Sequence, residues 1–387
     1  MLAKNNAFDA TLKKLKRYPD KNNKNLRAWD AADEYLLHEL FNNISLKSKE
    51  PLLIFNDSFG ALTTNLAEFK LSVMTDSYIS QQGIKQNLKQ LGDNYTQSIE
   101  FLSSLDKHKQ CYDLVIIKIP KSIDYLSYFL ASLKPFITES TTIIAAGMVK
   151  YMPKSIWQLF NEALGETQTL LAKKKAKLIY VKNQNKAYSC EYPSSFSLED
   201  SSYKIFNHAN IFSKKSLDIG TRFLLQNIPA FQNIKSAVDL GCGNGVVGLK
   251  LSTLYPKAHI TFSDESYMAV ESARLTLEHN RSEASKHDFI VQNCLDTLTD
   301  KHFNLIVCNP PFHQNQSVGL HIALQMFQQS YEKLADKGHL LVIANRHLPY
   351  YSHLKKIFKR VDIIASNRKF TLYQMQKNIQ KQIPIQK

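Results

Sequence analysis

The stretch FNLIVCNPPFH at residues 303–313 holds three residues with clear chemical potential: Asn309, Pro310 and Phe312. A proline favours extended backbone in the residue before it, and two consecutive prolines stiffen the loop. The side-chain oxygen of Asn309 and the carbonyl of Pro310 then form two fixed acceptors, with the ring of Phe312 beside them. Such acceptors can hold both hydrogens of a planar NH₂ group and turn its lone pair towards an electrophile. We therefore predict these residues to be catalytic, acting on a splayed-out nucleobase that stacks on Phe312.

A glycine-rich turn lies upstream, in VDLGCGNGVVGL at residues 238–249. It places Asp239, Gly241, Gly243 and Gly245 between a predicted strand and a predicted helix. Glycines permit a tight turn and let the backbone approach a ligand closely. The acidic residue before the first glycine would repel a pyrophosphate but attract a ligand with a cationic amine. The pattern therefore differs from the dinucleotide-binding loop and favours another nucleoside ligand.

Three more polar residues belong to the same predicted pocket: Asn244 in the glycine turn, Asp264 after the second strand, and Asn293 after the third. A carboxylate at the end of the second strand can accept hydrogen bonds from both hydroxyls of a ribose. The amide of Asn293 can meet an adenine edge, although a plain turn residue is an equally good interpretation. The set describes a site for adenosine that carries a charged amino acid, which predicts S-adenosylmethionine as the cofactor.

Apolar strands alternate with amphipathic helices along both halves of the chain, which indicates an α/β protein with parallel sheets. In the first half, strands are predicted at 51–55, 70–77, 112–120 and 141–147, helices at 26–41, 78–91 and 153–164, and a basic strand pair through AKKKAKLIYV. In the second half, strands are predicted at 236–240, 259–266, 288–293, 303–309 and 339–345, and helices at 244–255, 269–280 and 321–336, the last stopped by Gly338. The polar segment 191–203 is predicted to be a linker or an edge excursion, which gives domains at 1–190 and 204–387.

The two halves also match each other motif by motif. LLIFNDSFGAL corresponds to AVDLGCGNGVVGL, and Asp76 corresponds to Asp264. Ile119-Pro120 corresponds to Asn309-Pro310, and the acid-to-proline spacing is 44 residues in one half and 46 in the other. This agreement predicts a duplicated α/β unit. The first copy lacks the glycines and the asparagine, so we expect it to have no catalytic activity.

Composition narrows the class of protein. The 387 residues carry a net charge of +15, and both termini are basic, which favours a polyanionic partner. No apolar run is long enough to span a membrane, and the N-terminus lacks the apolar stretch of a signal peptide. Five cysteines without CxxC pairs argue for reduced thiols and against a zinc site. We expect a cytoplasmic protein of two domains, with no metal and no obligatory protein partner.

These motifs resemble the class I S-adenosylmethionine-dependent methyltransferases that carry Asn-Pro-Pro-Phe/Tyr. The whole chain is similar to bacterial rRNA guanine-N2 methyltransferases built from two such Rossmann-like domains, the N-terminal one degenerate. AWDAADEYLL, NDSFGAL, DSYIS and HANIFSKKSLDIGTRFLL resemble most closely the type that acts on the large-subunit (23S) rRNA.

The resemblance implies two tandem α/β domains, each with a seven-stranded sheet whose last strand is antiparallel. It implies cofactor binding at Asp239, Gly241, Gly243 and Asp264, and large-subunit ribosomal RNA as the partner. Phe212 is expected to fold over the cofactor, and Arg346 either meets phosphate or forms a surface pair. The degenerate half is expected to bind RNA or to stabilise the catalytic half.

Other substrates with a planar NH₂ remain open from the residues alone. They include a guanine in 16S rRNA, adenine N6 in DNA or RNA, and the glutamine amide of a protein. A non-catalytic RNA-binding or assembly protein is the alternative from another class. The intact motifs of the second half, beside their joint loss in the first, favour an enzyme.

Overall fold

The computed structural model describes residues 9–19, 26–199, 201–211, 216–281, 284–299, 302–311 and 316–378, without the side chains of 316–319. The chain divides into two compact units, Met1–Tyr192 and Pro193–Lys387. Each unit is built around its own sheet, and no helix among the described residues is long and apolar enough to cross a membrane.

Within the described part of the first unit, seven strands form one sheet in the order β3-β2-β1-β4-β5-β7-β6. The strands β1 and β4 are buried apolar runs in the centre, which is typical of parallel strands covered on both faces. β7 runs antiparallel to β5 and β6. The elements in chain order are α1 (Ala31–Asn43), β1 (Leu52–Phe55), α2 (Ala61–Asn65), β2 (Leu71–Thr75), α3 (Tyr78–Leu88), α4 (Asp93–Ser98), β3 (Glu100–Ser103), β4 (Leu114–Lys118), α5 (Ile123–Leu133), β5 (Thr142–Met148), α6 (Ser155–Ala163), β6 (Thr167–Thr169) and β7 (Ala176–Val181).

The second unit repeats this architecture. Its seven-stranded sheet, again among the described residues, has the order β12-β11-β10-β13-β14-β16-β15, with β16 antiparallel to both neighbours. A hairpin of β8 and β9 precedes it. The elements are β8 (Ser194–Ser197), β9 (Lys204–Asn207), α7 (Ile219–Asn227), β10 (Ser236–Leu240), α8 (Val246–Leu254), β11 (His259–Asp264), α9 (Tyr267–Asn280), β12 (Asp288–Val291), β13 (Phe303–Cys308), α10 (Gln316–Lys333), β14 (Leu334–Asn345), α11 (Tyr350–Ile357), β15 (Val361–Ser366) and β16 (Phe370–Gln376).

The central strand β10 separates two cores in the second unit. Ala237 packs into the cluster on one face of the sheet, while Val238 and Leu240 pack into the cluster on the other. Successive side chains of a strand point to opposite faces, so a strand covered by helices on both sides is apolar throughout. Asp239 is the buried polar residue of β10, and its burial therefore requires hydrogen bonding.

The structure corrects two predicted boundaries. The first helix begins at Ala31 rather than at residue 26, because the Asp30 carboxylate accepts from backbone N–H groups of the first turn and acts as its N-cap. Gly338 does not end a helix: α10 ends at Lys333, and Gly338 lies inside β14. A Cβ at that position would lie 2.7 Å from the Phe303 carbonyl oxygen, so close strand packing explains the glycine.

Part of the predicted linker has regular structure. Residues 194–197 form β8, which pairs with β9 through Ser194 opposite Asn207. The predictions also omitted some elements that the structure contains, including the short strand β3 and the helix α7. β3 comprises four residues whose burial does not alternate, so it offers little periodic signal.

Candidate active site

The glycine turn between β10 and α8 has left-handed backbone at Gly241, Gly243 and Gly245, with φ of 75°, 52° and 76°. Side chains disfavour this conformation, which explains the residue type at all three positions. Their surroundings differ. A Cβ on Gly245 would lie 2.7 Å from the Cα of Ala273, whereas no atom of the described residues comes within 4 Å of a Cβ on Gly243. Gly245 thus permits close helix packing, while Gly243 borders open space that a ligand can use.

Asp239 is buried beneath this turn. Its Oδ2 accepts a hydrogen bond of 2.8 Å from the backbone N–H of Gly248 in the first turn of α8. Burial raises the pKa of Asp239 to about 8, although the Gly248 N–H opposes that shift. Asp239 therefore ties the strand to the following helix, and this structural role accompanies the role towards a ligand amine that the sequence predicts.

Asp264 ends β11 and reaches into the glycine turn. Its Oδ2 accepts from the Gly243 N–H at 3.0 Å, and its Oδ1 accepts from the Ser266 N–H at 3.0 Å. Each carboxylate oxygen retains a further lone pair, so these contacts orient the group without exhausting its acceptors. Burial raises the pKa of Asp264, against the backbone hydrogen bonds that favour its charged form. Two of the predicted cofactor residues, Asp264 and Gly243, are thus in direct contact.

The side chains of Asn293 and Asn244 are directed to protein partners. The amide of Asn293 donates to Asp296 Oδ2 at 2.8 Å, within the turn that follows β12. The amide of Asn244 donates to Asn207 Oδ1 at 3.0 Å. These contacts match the alternative interpretation of Asn293 as a turn residue. They assign neither residue to a ligand, so the cofactor roles of both stay predictions.

Asn309 follows the last residue of β13 and lies beside the glycine turn, since a Cβ on Gly241 would stand 3.9 Å from its carbonyl oxygen. Its amide donates to the hydroxyl of Thr221 at 3.0 Å. Its Oδ1 is buried, and none of the described residues donates a hydrogen bond to it. A buried acceptor without a partner is costly, which is typical of a group reserved for a ligand. Phe312 and Phe212, the two predicted aromatic site residues, lie outside the described part of the chain.

Two matches to family models cover most of the chain: the RLMG N-terminal domain over residues 4–185, and the methyltransferase small domain over residues 202–374. A ribosomal RNA large subunit methyltransferase G of Psychromonas ingrahamii is 41% identical over 373 residues, which span 95% of this chain and 97% of that protein. The protein of the same name from Pseudoalteromonas translucida is 41% identical over 370 residues, or 94% and 96% of the two chains. The chain belongs to the ribosomal RNA large subunit methyltransferase G family.

A solved structure supports the fold of this family member over nearly its full length. The T. thermophilus 16S rRNA N2 methyltransferase RsmC, in complex with AdoMet and guanosine, matches with a TM-score of 0.70 and 20% identity. The match covers 88% of this chain and 91% of that one. Both sheets also have the same strand order, with the antiparallel strand at the same place. The predicted fold of two tandem class I methyltransferase domains is confirmed.

Sequence reasoning missed Thr221, which contacts a predicted site residue of this methyltransferase family member, and Asp218, which contacts Thr221. Asp218 caps α7 by accepting from the backbone N–H of Thr221, and Thr221 in turn contacts Asn309. An aspartate three residues before a threonine, ahead of the apolar run FLL, is a helix-start signal that could have located α7. The contact with Asn309 bridges 88 residues of sequence and has no local signal.

Three cysteines, Cys242, Cys294 and Cys308, lie near the site, and Cys294 is half-buried. Cys242 and Cys308 are buried, and burial raises the pKa of both thiols well above its usual value. A thiol with a raised pKa is a poor nucleophile at neutral pH, since the thiolate is the reactive form. Among the described residues, no cluster of His, Cys, Asp and Glu is arranged to hold a metal ion.

Proposed function

We propose that this protein transfers a methyl group from S-adenosylmethionine to the exocyclic N2 amine of a specific guanine in 23S ribosomal RNA. Relatives that share about 41% of the sequence bear the name ribosomal RNA large subunit methyltransferase G. The structural neighbour with the same two-unit fold is a 16S rRNA N2 methyltransferase solved with AdoMet and guanosine. Transfer of the methyl group to 16S rRNA, to adenine or to a protein glutamine would identify one of the alternative amine substrates.

The unpartnered Oδ1 of Asn309 is the observation that carries the chemistry. An exocyclic amine is a weak nucleophile because its lone pair is delocalised into the base. A hydrogen bond from the amine to Oδ1 of Asn309, and a second to the Pro310 carbonyl, would hold both hydrogens and direct the lone pair outward. No strong base is required, because fixed acceptors and positioning supply the acceleration. Phe312 would stack on the base and exclude water.

S-adenosylmethionine, when bound, supplies an electrophilic methyl group on its sulfonium. The residues present fit this group, because open space adjoins Gly243 and the Asp264 carboxylate is oriented at the same turn. We assign Asp264 to the ribose hydroxyls and the backbone of Gly241 and Gly243 to close contact with the ligand. Asp239 would attract the ligand's cationic amine, whose charge would in turn favour the ionised form of this buried carboxylate.

Basic side chains near the same sheet edge suit the phosphates of the RNA. The exposed residues Arg346 and Lys369 are adjacent, because the Arg346 N–H donates to the Lys369 carbonyl at 2.9 Å. The Arg346 guanidinium also donates to the carbonyl of Asn367. The exposed Arg368 lies between Asn367 and Lys369 in sequence. Phosphate contacts of this kind supply affinity and register rather than sequence readout. With a ribosomal RNA substrate, we infer a cytoplasmic location for the protein.

The first unit offers a second basic surface, which we assign to RNA affinity. At the carboxyl ends of β4 and β5, the exposed ring of Tyr151 lies 4.5 Å from the Lys150 ammonium and 5.3 Å from that of Lys121. An exposed aromatic ring flanked by cations can stack on a base while the cations meet phosphate. This unit would thus hold RNA without catalysis of its own.

The test is transfer of labelled methyl from S-adenosylmethionine to ribosomal RNA that lacks the modification. We expect label in 23S rRNA as N2-methylguanine, located by mass mapping of nuclease fragments, and a strong reduction of that label with Asn309→Ala. Label in 16S rRNA, in adenine or in protein would contradict the substrate assignment. Binding of 23S rRNA without any transfer would support the non-catalytic alternative.

A further inference from the structure

The start of α7 and the loop after β13 meet through a chain of three side chains. Asp218 Oδ2 accepts from the hydroxyl of Thr221 at 3.3 Å and from its backbone N–H at 3.0 Å. Thr221 Oγ1 accepts from the amide of Asn309 at 3.0 Å. Thr221 is only 8% exposed, so bulk water does not compete for its hydroxyl.

The direction of these hydrogen bonds determines which end of the Asn309 amide faces the site. A hydroxyl has one hydrogen, and here the Asp218 carboxylate, which can only accept, takes it. The oxygen of Thr221 can then act only as an acceptor towards Asn309, so it binds the NH₂ end of the amide. The Oδ1 end is thereby turned away from Thr221 and left without a partner among the described residues.

We propose that Asp218 and Thr221 are positioning residues that lock the Asn309 amide with its oxygen presented to the substrate amine. The opposite orientation would present the amide NH₂ to another NH₂ group, which offers no acceptor and repels the substrate. An isolated asparagine can adopt both orientations by rotation about its last side-chain bond. The inference rests on the proposed methyl transfer and adds the device that selects the productive orientation.

The test compares Thr221→Val with Thr221→Ser, under saturating S-adenosylmethionine and RNA. Valine keeps the shape but removes the hydroxyl, so we expect kcat to fall on the order of 10²-fold, the size of a misplaced catalytic contact. KM for RNA and the Kd for S-adenosylmethionine should change by less than about threefold, because Thr221 binds neither in this account. Serine retains the hydroxyl and therefore both hydrogen bonds. We expect the kcat of Thr221→Ser to lie within about fivefold of wild type.

Several results would overturn the proposal. A Thr221→Val protein with normal kcat would exclude the lock, and a main effect on the Kd for S-adenosylmethionine would make Thr221 a cofactor ligand. Equal loss in Thr221→Ser would show that the methyl group, not the hydroxyl, matters. In an Asn309→Ala background, Thr221→Val should cause no further loss, since residues acting as a unit are non-additive. Wild-type protein assayed in parallel separates this inference from the proposed function, because an inactive wild type contradicts the latter alone.

Discussion

The turns that follow the first strands of the two sheets match at both ends but differ in the middle. Asn56 and Gly60 in the first unit have φ of 67° and 87°, close to the 75° and 76° of Gly241 and Gly245. Inside the first turn, the buried Asp57 carboxylate accepts from the N–H groups of Gly60, Leu62 and Thr63. In the second unit the corresponding side chain is the uncharged Cys242. The left-handed ends of the turn are thus retained. Ser58, the exposed counterpart of Gly243, lacks the left-handed backbone, and the carboxylate that binds the helix N–H groups comes from the turn itself.

The same contrast holds at the end of the fourth strand. The N-cap Asp30 and Asp33 of α1 correspond to the N-cap Asp218 and Thr221 of α7. Lys118, at the end of β4, forms ion pairs with Asp30 at 2.7 Å and with Asp33. Burial raises the pKa of Asp33 to about 6, although Lys118 opposes the shift. At the place where the second unit presents the unpartnered oxygen of Asn309, the first unit pairs its charged groups with one another.

The comparison shows that this fold persists when the glycines and the asparagine of the predicted site are replaced. Strand order and the left-handed positions at the two ends of the turn are the same in both units, because they depend on apolar periodicity and backbone conformation. Ligand binding depends on a few positions where side chains are absent or unpaired. Function in this architecture therefore belongs to the site rather than to the fold.

The largest effect on stability is expected from breaking the ion pairs of Lys118 with Asp30 and Asp33 in the first unit. Lys118→Met should lower the free energy of unfolding by about 3–5 kcal/mol, because it leaves two partly or fully buried carboxylates uncompensated. Urea unfolding measures the change. Adding Asp33→Asn should recover part of the loss, while Lys47→Met, which removes an exposed ion pair, should leave stability close to that of wild type. Equal stability of Lys118→Met and wild type would show that the cluster is dispensable.

The second comparison concerns the residue that follows the fourth strand of each sheet, Ile119 in the first unit and Asn309 in the second. Asn309→Ala should reduce methyl transfer on the order of 10²–10³-fold, the usual cost of removing one preorganised polar contact in a transition state. The Kd for S-adenosylmethionine should remain nearly unchanged. The matched control is Ile119→Val in the first unit, for which we expect activity close to wild type. A large loss of cofactor binding in Asn309→Ala would contradict its assigned role.

A smaller effect is expected at the open glycine. Gly243→Ala places a methyl group in the space that we assign to the cofactor, and at a left-handed φ of 52°. We expect cofactor affinity to fall about tenfold and stability to fall by about 1 kcal/mol. Fluorescence titration gives the affinity. Ser58→Ala, at the exposed matching position of the first unit, should alter neither quantity, and an equal effect there would erase the distinction between the two turns.

Much of this fold could be predicted because its signals are local. The strand 236–240 was predicted with the bounds that the structure gives, and the left-handed turn at Gly241, Gly243 and Gly245 follows from residue type alone. The predicted helix 321–336 had the wrong bounds, because Gly338 is required by close approach to Phe303, which is a tertiary contact.

The candidate site was predictable to the extent that its motifs are contiguous in sequence. Asp264 and Gly243 were assigned to one pocket and do form a direct hydrogen bond. The partners of Asn244 and Asn309 are distant in sequence, at Asn207 and Thr221, and no periodicity encodes such pairs. Side-chain direction therefore had to come from the structure.

The number of S-adenosylmethionine molecules bound per chain tests the comparison most directly. Calorimetric titration of the full chain should give one site, weakened by Gly243→Ala and by Asp264→Asn but not by Asp57→Asn. Two sites per chain, or one site that is lost with Asp57→Asn and kept with Asp264→Asn, would contradict the assignment of the open pocket to the second unit.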